Sequence, residues 1–386
     1  MIIFEQDSLG RSIVEIVFKN AGSIYAKPGV AFFLTHIFNT KGDADKHEKI
    51  YSLIEQDAIE FHASVNREFF TLSVKFLNSK SKKATDFIYT ILTNPNLSQE
   101  AFEKSKKEIS AKIKNKQNDH DYTASKNLFK SIFKNTPLEY PVMGEDIEKI
   151  SLEDVRSFYT DLFKKEYVII NGGQKADVSK IISLFKPEKS DTLTFRAKPS
   201  EDVKELKNVE QSYIHFASPF DVDYKTELHL AKIATFILGA GGFGSRMMEE
   251  IRVKRGYAYS AYASNAFRKT YKLLSGYLQT KLENTEDAVN IVKEMISDFH
   301  ANGITEEELA QAKQFLIGSE PLRNETLNQR LLRKFNEHYL SLPEGYYEKE
   351  LELIKNATLD DVNSFIKSHP EIKDLTFSIV TKEDND

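Results

Sequence analysis

The sequence repeats itself at a fixed offset, and this duplication constrains the fold more than any other feature. Ser151–Phe158 reads SLEDVRSF, and Thr358–Phe365 reads TLDDVNSF 207 positions later (358 − 151). Leu97–Lys104 and Ile304–Gln311 are separated by the same offset. All four segments carry Ser or Thr followed by acidic residues, the pattern that begins a helix. Two matches at one offset indicate a tandem duplication.

Each copy runs through strands, then helices, then a strand, which is typical of an α+β domain. We therefore predict two homologous halves, each a mostly antiparallel sheet with helices packed on one face. Residues 1–187 and 209–386 form the halves, and the charged, proline-containing segment 188–208 is interpreted as a linker. The predicted strands are Ile13–Phe18, Ile59–Ser64, Phe69–Phe76, Tyr167–Asn171, Ser212–Ala217, Ala258–Ala263, Leu273–Thr280 and Leu375–Val380.

The charge of the chain argues against nucleic acid as a partner. Its 386 residues carry a net charge of −5 with mixed signs, whereas nucleic-acid binding requires a clustered basic face. No apolar run approaches the roughly 20 residues of a membrane span, and no secretory leader precedes the strand-like Ile2–Gln6. We expect a periplasmic or exported protein if an upstream signal was removed and Met1 was added, and a cytoplasmic protein otherwise.

A helical motif in the first half carries altered metal chemistry. Gly29–Gly42 reads GVAFFLTHIFNTKG and resembles the zinc helix of the inverted-motif metallopeptidases, which include pitrilysin, insulin-degrading enzyme and mitochondrial processing peptidase. That family carries H-x-x-E-H, in which two His bind zinc and the Glu activates water. Here the three places hold Phe32, Thr35 and His36, which share one helix face. The resemblance therefore implies a degenerate zinc site.

The resemblance also places the family's third zinc ligand, a Glu on a later helix, at Lys112. An ammonium group has no lone pair to offer Zn²⁺. Glu103 and Glu108 are nearby in the sequence, but their phase differs from the family pattern. We predict no metal and no cofactor in this chain, and we interpret His36 as a hydrogen-bonded interior histidine.

A block in the second half resembles the rest of the family's machinery. Leu238–Ser260 reads LGAGGFGSRMMEEIRVKRGYAYS and matches the Gly-rich turn, the Ser-Arg helix start and the I-R-x-x-x-G-x-A-Y-S signature. In active members an Arg and a Tyr seven apart hold a carbonyl of the bound peptide, which implies that role for Arg252 and Tyr259. The spacing alone favours a structural interpretation, a cation at a helix C-terminus and a strand aromatic, whereas the whole block favours a retained substrate contact. Gly239–Gly244 lacks the Lys-Ser/Thr of a phosphate loop, so a structural turn is predicted.

A strand edge in the first half is the second substrate surface that the resemblance implies. Phe61–Ser64 occupies the place where the family offers an Asn-Ala edge to the peptide. Such an edge can pair with a peptide by strand addition, whatever side chains it carries. We therefore expect His62 and Ala63 to contact a peptide, although His replaces the family's Asn.

Two functions follow from the resemblance. The first is a catalytically incomplete subunit of a heterodimeric bacterial zinc metallopeptidase, in which this chain contributes Arg252 and Tyr259 and a homologous partner carries the zinc. Some bacterial members divide the work in this way, and mitochondrial processing peptidase pairs a zinc subunit with a degenerate one. The alternative is a non-enzymatic structural or peptide-binding member, as the core proteins of respiratory complexes are. Retention of the Arg/Tyr pair favours the first, with no peptidase activity from the chain alone; the peptide substrate stays open.

Overall fold

The chain divides into two compact units. The computed structural model describes residues 1–40 and 56–382. Each unit takes most of its residues from one half of the sequence and is completed by a short segment from the other half. The N-terminal unit comprises Met1–Asn115, Tyr140–Leu193 and Asn324–Phe335, and the C-terminal unit comprises Lys116–Glu139, Thr194–Arg323 and Asn336–Asp386.

The elements within the described residues are numbered in chain order. The strands are β1 Ile2–Gln6, β2 Arg11–Lys19, β3 Glu60–Val65, β4 Phe69–Leu77, β5 Tyr167–Gly173, β6 Val203–Leu206, β7 Gln211–Pro219, β8 Ala258–Phe267, β9 Lys272–Lys281 and β10 Thr376–Thr381. The α-helices are α1 Val30–Asn39, α2 Ser81–Thr93, α3 Gln99–Lys116, α4 His120–Ile132, α5 Leu152–Leu162, α6 Ser179–Ile182, α7 Leu228–Thr235, α8 Thr285–Asn302, α9 Glu306–Gly318, α10 Glu320–Arg323, α11 Leu327–Leu340, α12 Tyr346–Asn356 and α13 Leu359–Ser368.

The N-terminal unit is built on one five-stranded sheet in the order β1-β5-β2-β4-β3. β1 and β5 run parallel, and the other neighbours are antiparallel. Val14, Ile16 and Phe18 of β2 alternate toward the main core, because side chains of a strand point to one face at every second residue. Helices α1, α2, α3 and α5 supply the other side of this core. β3 lies at one edge of the sheet.

The C-terminal unit repeats this plan in the order β6-β10-β7-β9-β8. β6 and β10 are parallel, and the remaining pairs are antiparallel. Ile214 and Phe216 of β7 point into the core that α7, α8, α9 and α13 cover. β8 takes the edge position that β3 takes in the N-terminal unit. The strand orders therefore correspond one to one, as the tandem duplication predicts.

Each sheet also carries a helix on its opposite face. In the C-terminal unit, Ala124 of α4 packs against Val209 and Val380 in a small separate cluster. In the N-terminal unit, Leu331 of α11 lies against Gly172, where an added Cβ would come within 2.5 Å of the Leu331 Cδ1. Arg330 of the same helix pairs with Glu5, at 3.1 Å. These two helices come from the segments that lie in the other half of the sequence.

The structure confirms the predicted α+β class and the helix starts. Ser151, Thr305 and Thr358 each begin a helix with a reciprocal capping box, which satisfies two backbone N–H groups at once. Two features differ from the prediction. β6 lies inside the segment interpreted as a linker, because pairing with β10 outweighs its charged composition, and helices cover both faces of each sheet. Among the described residues, no helix combines the length and apolar character that crossing a membrane requires.

Candidate functional site

The degenerate zinc motif lies on α1, whose inner face is buried. Phe32, Thr35 and His36 share that face, and Thr35 and His36 are both buried. The Thr35 hydroxyl donates to the Phe32 carbonyl over 2.7 Å. A Thr that bonds back to its own helix in this way gives its hydroxyl proton to the backbone. The position of the family's general base is therefore occupied by a group with a structural partner.

His36 has partners on α3 and at the end of α1. Its Nε2 lies 3.3 Å from the Glu108 Oε2, and its Nδ1 lies 3.4 Å from the Thr40 hydroxyl. Burial lowers the pKa of His36, the charge of Lys112 lowers it further, and Glu108 acts in the opposite direction. The net lowered pKa favours a neutral imidazole at neutral pH. The sequence predicted an interior, hydrogen-bonded histidine, and the structure confirms it.

The charge of Lys112 acts on His36, and its assignment to the third-ligand position stays a prediction. Glu108 also reaches the imidazole, a contact that the sequence argument did not predict. Residues four apart on a helix share one face, so the spacing of Glu108 and Lys112 was the signal that could have revealed both. His36 and Glu108 are thus in contact, and Thr35 lies on the same buried helix face as His36.

This set of side chains does not fit zinc. A catalytic zinc site needs three protein ligands, whereas one imidazole and one carboxylate lie here beside an aromatic ring and an ammonium group. Within residues 1–40 and 56–382, no three His, Asp or Glu side chains are grouped closely enough to hold a metal ion. We therefore assign no metal chemistry to this position.

The edge strand β3 holds the other predicted contacts in this unit. The His62 side chain is exposed, and Ala63 is buried. The Asn39 side chain, at the end of α1, accepts from the Ala63 N–H over 2.8 Å and donates to the Ala63 carbonyl over 2.7 Å. This two-point pairing uses the same groups that an added peptide strand would use. An intramolecular amide thus occupies the predicted substrate edge at Ala63.

The Gly-rich turn of the C-terminal unit begins within one segment of π-helix, Phe236–Ala240, and ends before a second, Met248–Val253. Single π-helical turns are rare in proteins overall, and those that occur are often found at functional sites. Gly239 is required here because a Cβ would lie 2.2 Å from the backbone N of Ala263. Gly242 adopts a φ of +62°, which favours glycine. The predicted structural turn is therefore confirmed.

Hydrogen bonds from two residues fix the start of the helical segment after this turn. The buried Ser245 hydroxyl donates to the Gly242 carbonyl over 2.7 Å. Arg246 makes a two-point contact with Glu308, at 2.6 and 2.8 Å, and donates to the Gly303 carbonyl at 2.8 Å. The Ser-Arg pair of the family signature thus fixes the base of the segment that presents Arg252.

Arg252 lies against two aromatic rings. Its Cζ is 4.5 Å from the ring centroid of Tyr259 and 4.6 Å from that of Phe243. The nearby Glu250 accepts from Lys254 and from Arg255, the latter over 2.6 Å. Among the described residues, neither a carboxylate nor a carbonyl pairs with the Arg252 guanidinium. Its in-plane N–H donors are consequently uncommitted.

Tyr259 is 84% exposed and lies where β8 shifts its register against β9, between Ala258 and Ala261. A β-bulge re-aims a side chain at such a point. The structure thus brings together Arg252 and Tyr259, the pair that the sequence singled out. It adds Phe243, which is 67% exposed and which sequence reasoning missed. A large aromatic inside a Gly-rich turn was the signal that could have found it.

Comparisons with known proteins place the chain in a family. The profile described as Insulinase (Peptidase family M16) matches residues 2–146, and that of the Peptidase M16 inactive domain matches residues 149–316. A Helicobacter pylori protein named Non-peptidase homolog YmxG is 35% identical over 400 residues, which cover 100% of this chain and 92% of the relative. The chain belongs to peptidase family M16.

Other family members agree with this result. A Bacillus subtilis protein named as an uncharacterized zinc protease, YmxG, is 22% identical over 94% of this chain and 88% of the relative. The crystal structure of a peptidase M16 inactive domain from Pseudomonas fluorescens superposes with a TM-score of 0.86 at 20% identity, covering 99% of this chain and 95% of that one. The resemblance drawn from the two sequence blocks is confirmed, and so is the fold.

Proposed function

We propose that this chain is a catalytically incomplete M16 subunit, which binds peptide through Arg252 and Tyr259 and works with a homologous partner that carries zinc. One observation carries the proposal. The C-terminal unit presents a half-buried Arg252 whose guanidinium donors are uncommitted among the described residues, while the position of the family's zinc ligands holds an incomplete set. A group suited to peptide recognition therefore occurs in a chain whose zinc-ligand positions are incomplete, and this combination supports the proposal.

The pair suits an extended peptide. A guanidinium offers several N–H donors in a fixed plane, and a phenol adds one O–H donor. Donors of this kind bind a peptide carbonyl and stabilise the oxyanion that develops on it during hydrolysis. The partner would supply zinc and the general base, and this chain would supply the donors. The chain alone is accordingly expected to leave peptides intact.

Assembly is the first test. The tagged chain is purified from its native cells, and mass spectrometry identifies any co-purifying M16 chain with an intact H-x-x-E-H motif. The recombinant pair is then mixed and examined by size-exclusion chromatography with light scattering, and cleavage of fluorescein-labelled β-casein is followed. We expect a one-to-one complex that cleaves, and no cleavage by this chain alone. Separate monomers at micromolar concentration would contradict the proposal.

A non-enzymatic role is the second candidate, and the Asn39 contact favours it. Because the Asn39 amide pairs with both backbone groups of Ala63, the N-terminal unit offers no free pairing site at that point of β3. A chain kept only as a structural component has no need for an open edge. A stable homodimer that neither binds peptide nor recruits a zinc-bearing chain would favour this role.

A further inference from the structure

Phe243 is an exposed aromatic residue in a position where packing does not explain it. It lies in the Gly-rich turn with two thirds of its surface exposed, and a Cβ at Gly242 or Gly244 on either side would meet no atom within 4 Å. Among the described residues, the ring contact of Phe243 is with the Arg252 guanidinium. Burying apolar area therefore does not account for its place, whereas the contact with Arg252 does.

Arg252 contacts two aromatic rings at once. Its Cζ lies 4.5 Å from the ring centroid of Tyr259 and 4.6 Å from that of Phe243. A guanidinium that lies against aromatic rings keeps its N–H donors available to a ligand. It also loses rotamer freedom before any ligand arrives, and ordering a long side chain in advance removes that cost from binding. Tyr259 alone would leave Arg252 with a single ring contact.

We propose that Phe243 is a positioning residue, which holds Arg252 against Tyr259 so that the guanidinium edge faces a peptide carbonyl. This inference rests on the proposed peptide-binding role of Arg252. It assigns Phe243 no contact with the peptide: its effect passes through Arg252. The two ideas can therefore fail separately, and a double-mutant cycle distinguishes them.

The experiment measures binding of fluorescein-labelled β-casein, an unstructured polypeptide, to the full chain by fluorescence anisotropy. Variants are Phe243→Ala, Phe243→Leu, Phe243→Trp, Arg252→Ala and the double variant Phe243→Ala/Arg252→Ala. Phe315→Ala is the matched control, since Phe315 is also an exposed aromatic of the C-terminal unit, 53% exposed, and it packs on Phe236 instead. Circular dichroism checks that each variant is folded.

We expect Phe243→Ala to raise the Kd about twofold to fivefold, the range of an exposed cation–π contact. Phe243→Leu, which keeps apolar volume without a π face, should behave like Ala, and Phe243→Trp should restore binding. In the Arg252→Ala background, Phe243→Ala should change the Kd less than about twofold. In the free chain, the Arg252 Nε–H NMR signal should lose its ring-current shift in the Ala and Leu variants and keep it in the Trp variant.

Each outcome decides between the two ideas. If Arg252→Ala binds β-casein as the wild type does, the proposed function fails. If Arg252→Ala weakens binding but Phe243→Ala does not, only the positioning role fails. An equal loss from Phe243→Ala in both backgrounds would show that the ring contacts the peptide itself, which overturns the inference. A loss of the same size in Phe315→Ala would do so as well.

Discussion

The two units place a helix against the edge strand of a sheet in corresponding ways, and they differ in what fills the contact. In the N-terminal unit the Asn39 amide bonds to the backbone of Ala63 on β3. In the C-terminal unit Gly239 has no side chain, and its Cα comes close to the backbone of Ala263 on β8. The same topology thus tolerates a polar side-chain bridge in one copy and a direct backbone approach in the other.

A second contrast concerns how polar groups are used. In the N-terminal unit, the Thr35 hydroxyl and the His36 imidazole both have intramolecular partners. In the C-terminal unit, Arg252 is held by rings and keeps its donors uncommitted. Buried polar groups need hydrogen bonds for stability, whereas a binding group needs donors that a ligand can reach. The difference separates a position that stabilises the fold from one that fits recognition.

The largest expected effect tests this contrast at the level of activity. In the assembled complex, Arg252→Ala should lower peptide turnover by about 10²–10³-fold, because loss of one preorganised oxyanion donor typically costs that much. Tyr259→Phe should cost less, since it removes one hydroxyl and keeps the stacked ring. Initial rates of β-casein cleavage at saturating substrate give the comparison.

His36→Gln and Lys254→Ala are the controls for this series. His36 lies in the degenerate motif, and Lys254 carries a charge in the same segment as Arg252 without a proposed contact. Both variants should cleave at the wild-type rate. An equal loss of cleavage rate in Arg252→Ala and His36→Gln would contradict the distinction between a binding group in the C-terminal unit and a structural group in the N-terminal unit.

Zinc binding can be tested by restoring the N-terminal motif. Phe32→His and Thr35→Glu together should still bind zinc poorly, because the Lys112 ammonium opposes a cation beside His36. Adding Lys112→Glu should tighten binding by about 100-fold, an effect of the size seen when residues around a zinc site are changed. Isothermal titration calorimetry with ZnCl₂ measures both affinities. Tight binding by the double variant would show that Glu108 serves as the third ligand.

Stability variants at the two helix–edge contacts should have intermediate effects. Gly239→Ala should cost about 3 kcal/mol, since its Cβ would lie 2.2 Å from the Ala263 nitrogen and the backbone must move. Asn39→Ala should cost about 1–2 kcal/mol, because it leaves two backbone groups of Ala63 without partners. Gly244→Ala, which meets no atom within 4 Å, should be within about 0.5 kcal/mol of the wild type.

Native-state hydrogen exchange would assign each loss to its unit, which a single unfolding curve of a two-unit chain does not. The Asn39→Ala loss should appear in β3 and the Gly239→Ala loss in β8. A cost for Asn39→Ala no larger than that for Gly244→Ala would mean that the amide pairing with Ala63 contributes no stability.

The smallest expected effect is a pH dependence of opposite sign in the two units. The pKa of His36 is lowered, so the unfolded chain binds the proton more readily and stability falls as pH drops below about 6.5. Burial lowers the pKa of His369, but the hydrogen bond and charge of Glu371 with the charge of Glu227 outweigh it and raise the pKa overall. That contribution is present below about pH 6.5 and is lost as pH rises through the folded-state pKa.

Urea unfolding at pH 5.5 and 7.5 checks these signs. His36→Gln should make the chain less sensitive to acid, and His369→Gln should make it more sensitive. The pairing of the His369 Nδ1 with the Glu371 carboxylate, at 2.7 Å, is the geometric basis of the second expectation. The same shift in both variants would contradict the assignment.

The sequence predicted what repeats or has a period, and it missed what depends on packing at one point. The halves, the α+β class and the capped helices follow from offsets and alternation, whereas the resemblance to the family singled out Arg252 and Tyr259. The Asn39–Ala63 pairing joins two segments whose separation carries no periodic signal. Phe243 lies inside the predicted structural turn, and its contact with Arg252 needs the three-dimensional path of the π-helical segment. The sequence did not predict β6, because its charged residues are untypical of a strand and its pairing with β10 compensates for them.

The completion of each unit by a segment from the other half affects the order in which the protein can fold during synthesis. The N-terminal sheet receives α11 residues such as Arg330 and Leu331 on one face, and these leave the ribosome only after most of the chain has been made. Protein synthesis proceeds at about 5–20 residues per second. The sheet face at Gly172, which α11 later covers, therefore stays uncovered for roughly 8–30 seconds after β5 is synthesised. During that interval the nascent chain exposes apolar sheet surface, and a chaperone that binds such surfaces would have its main opportunity to act.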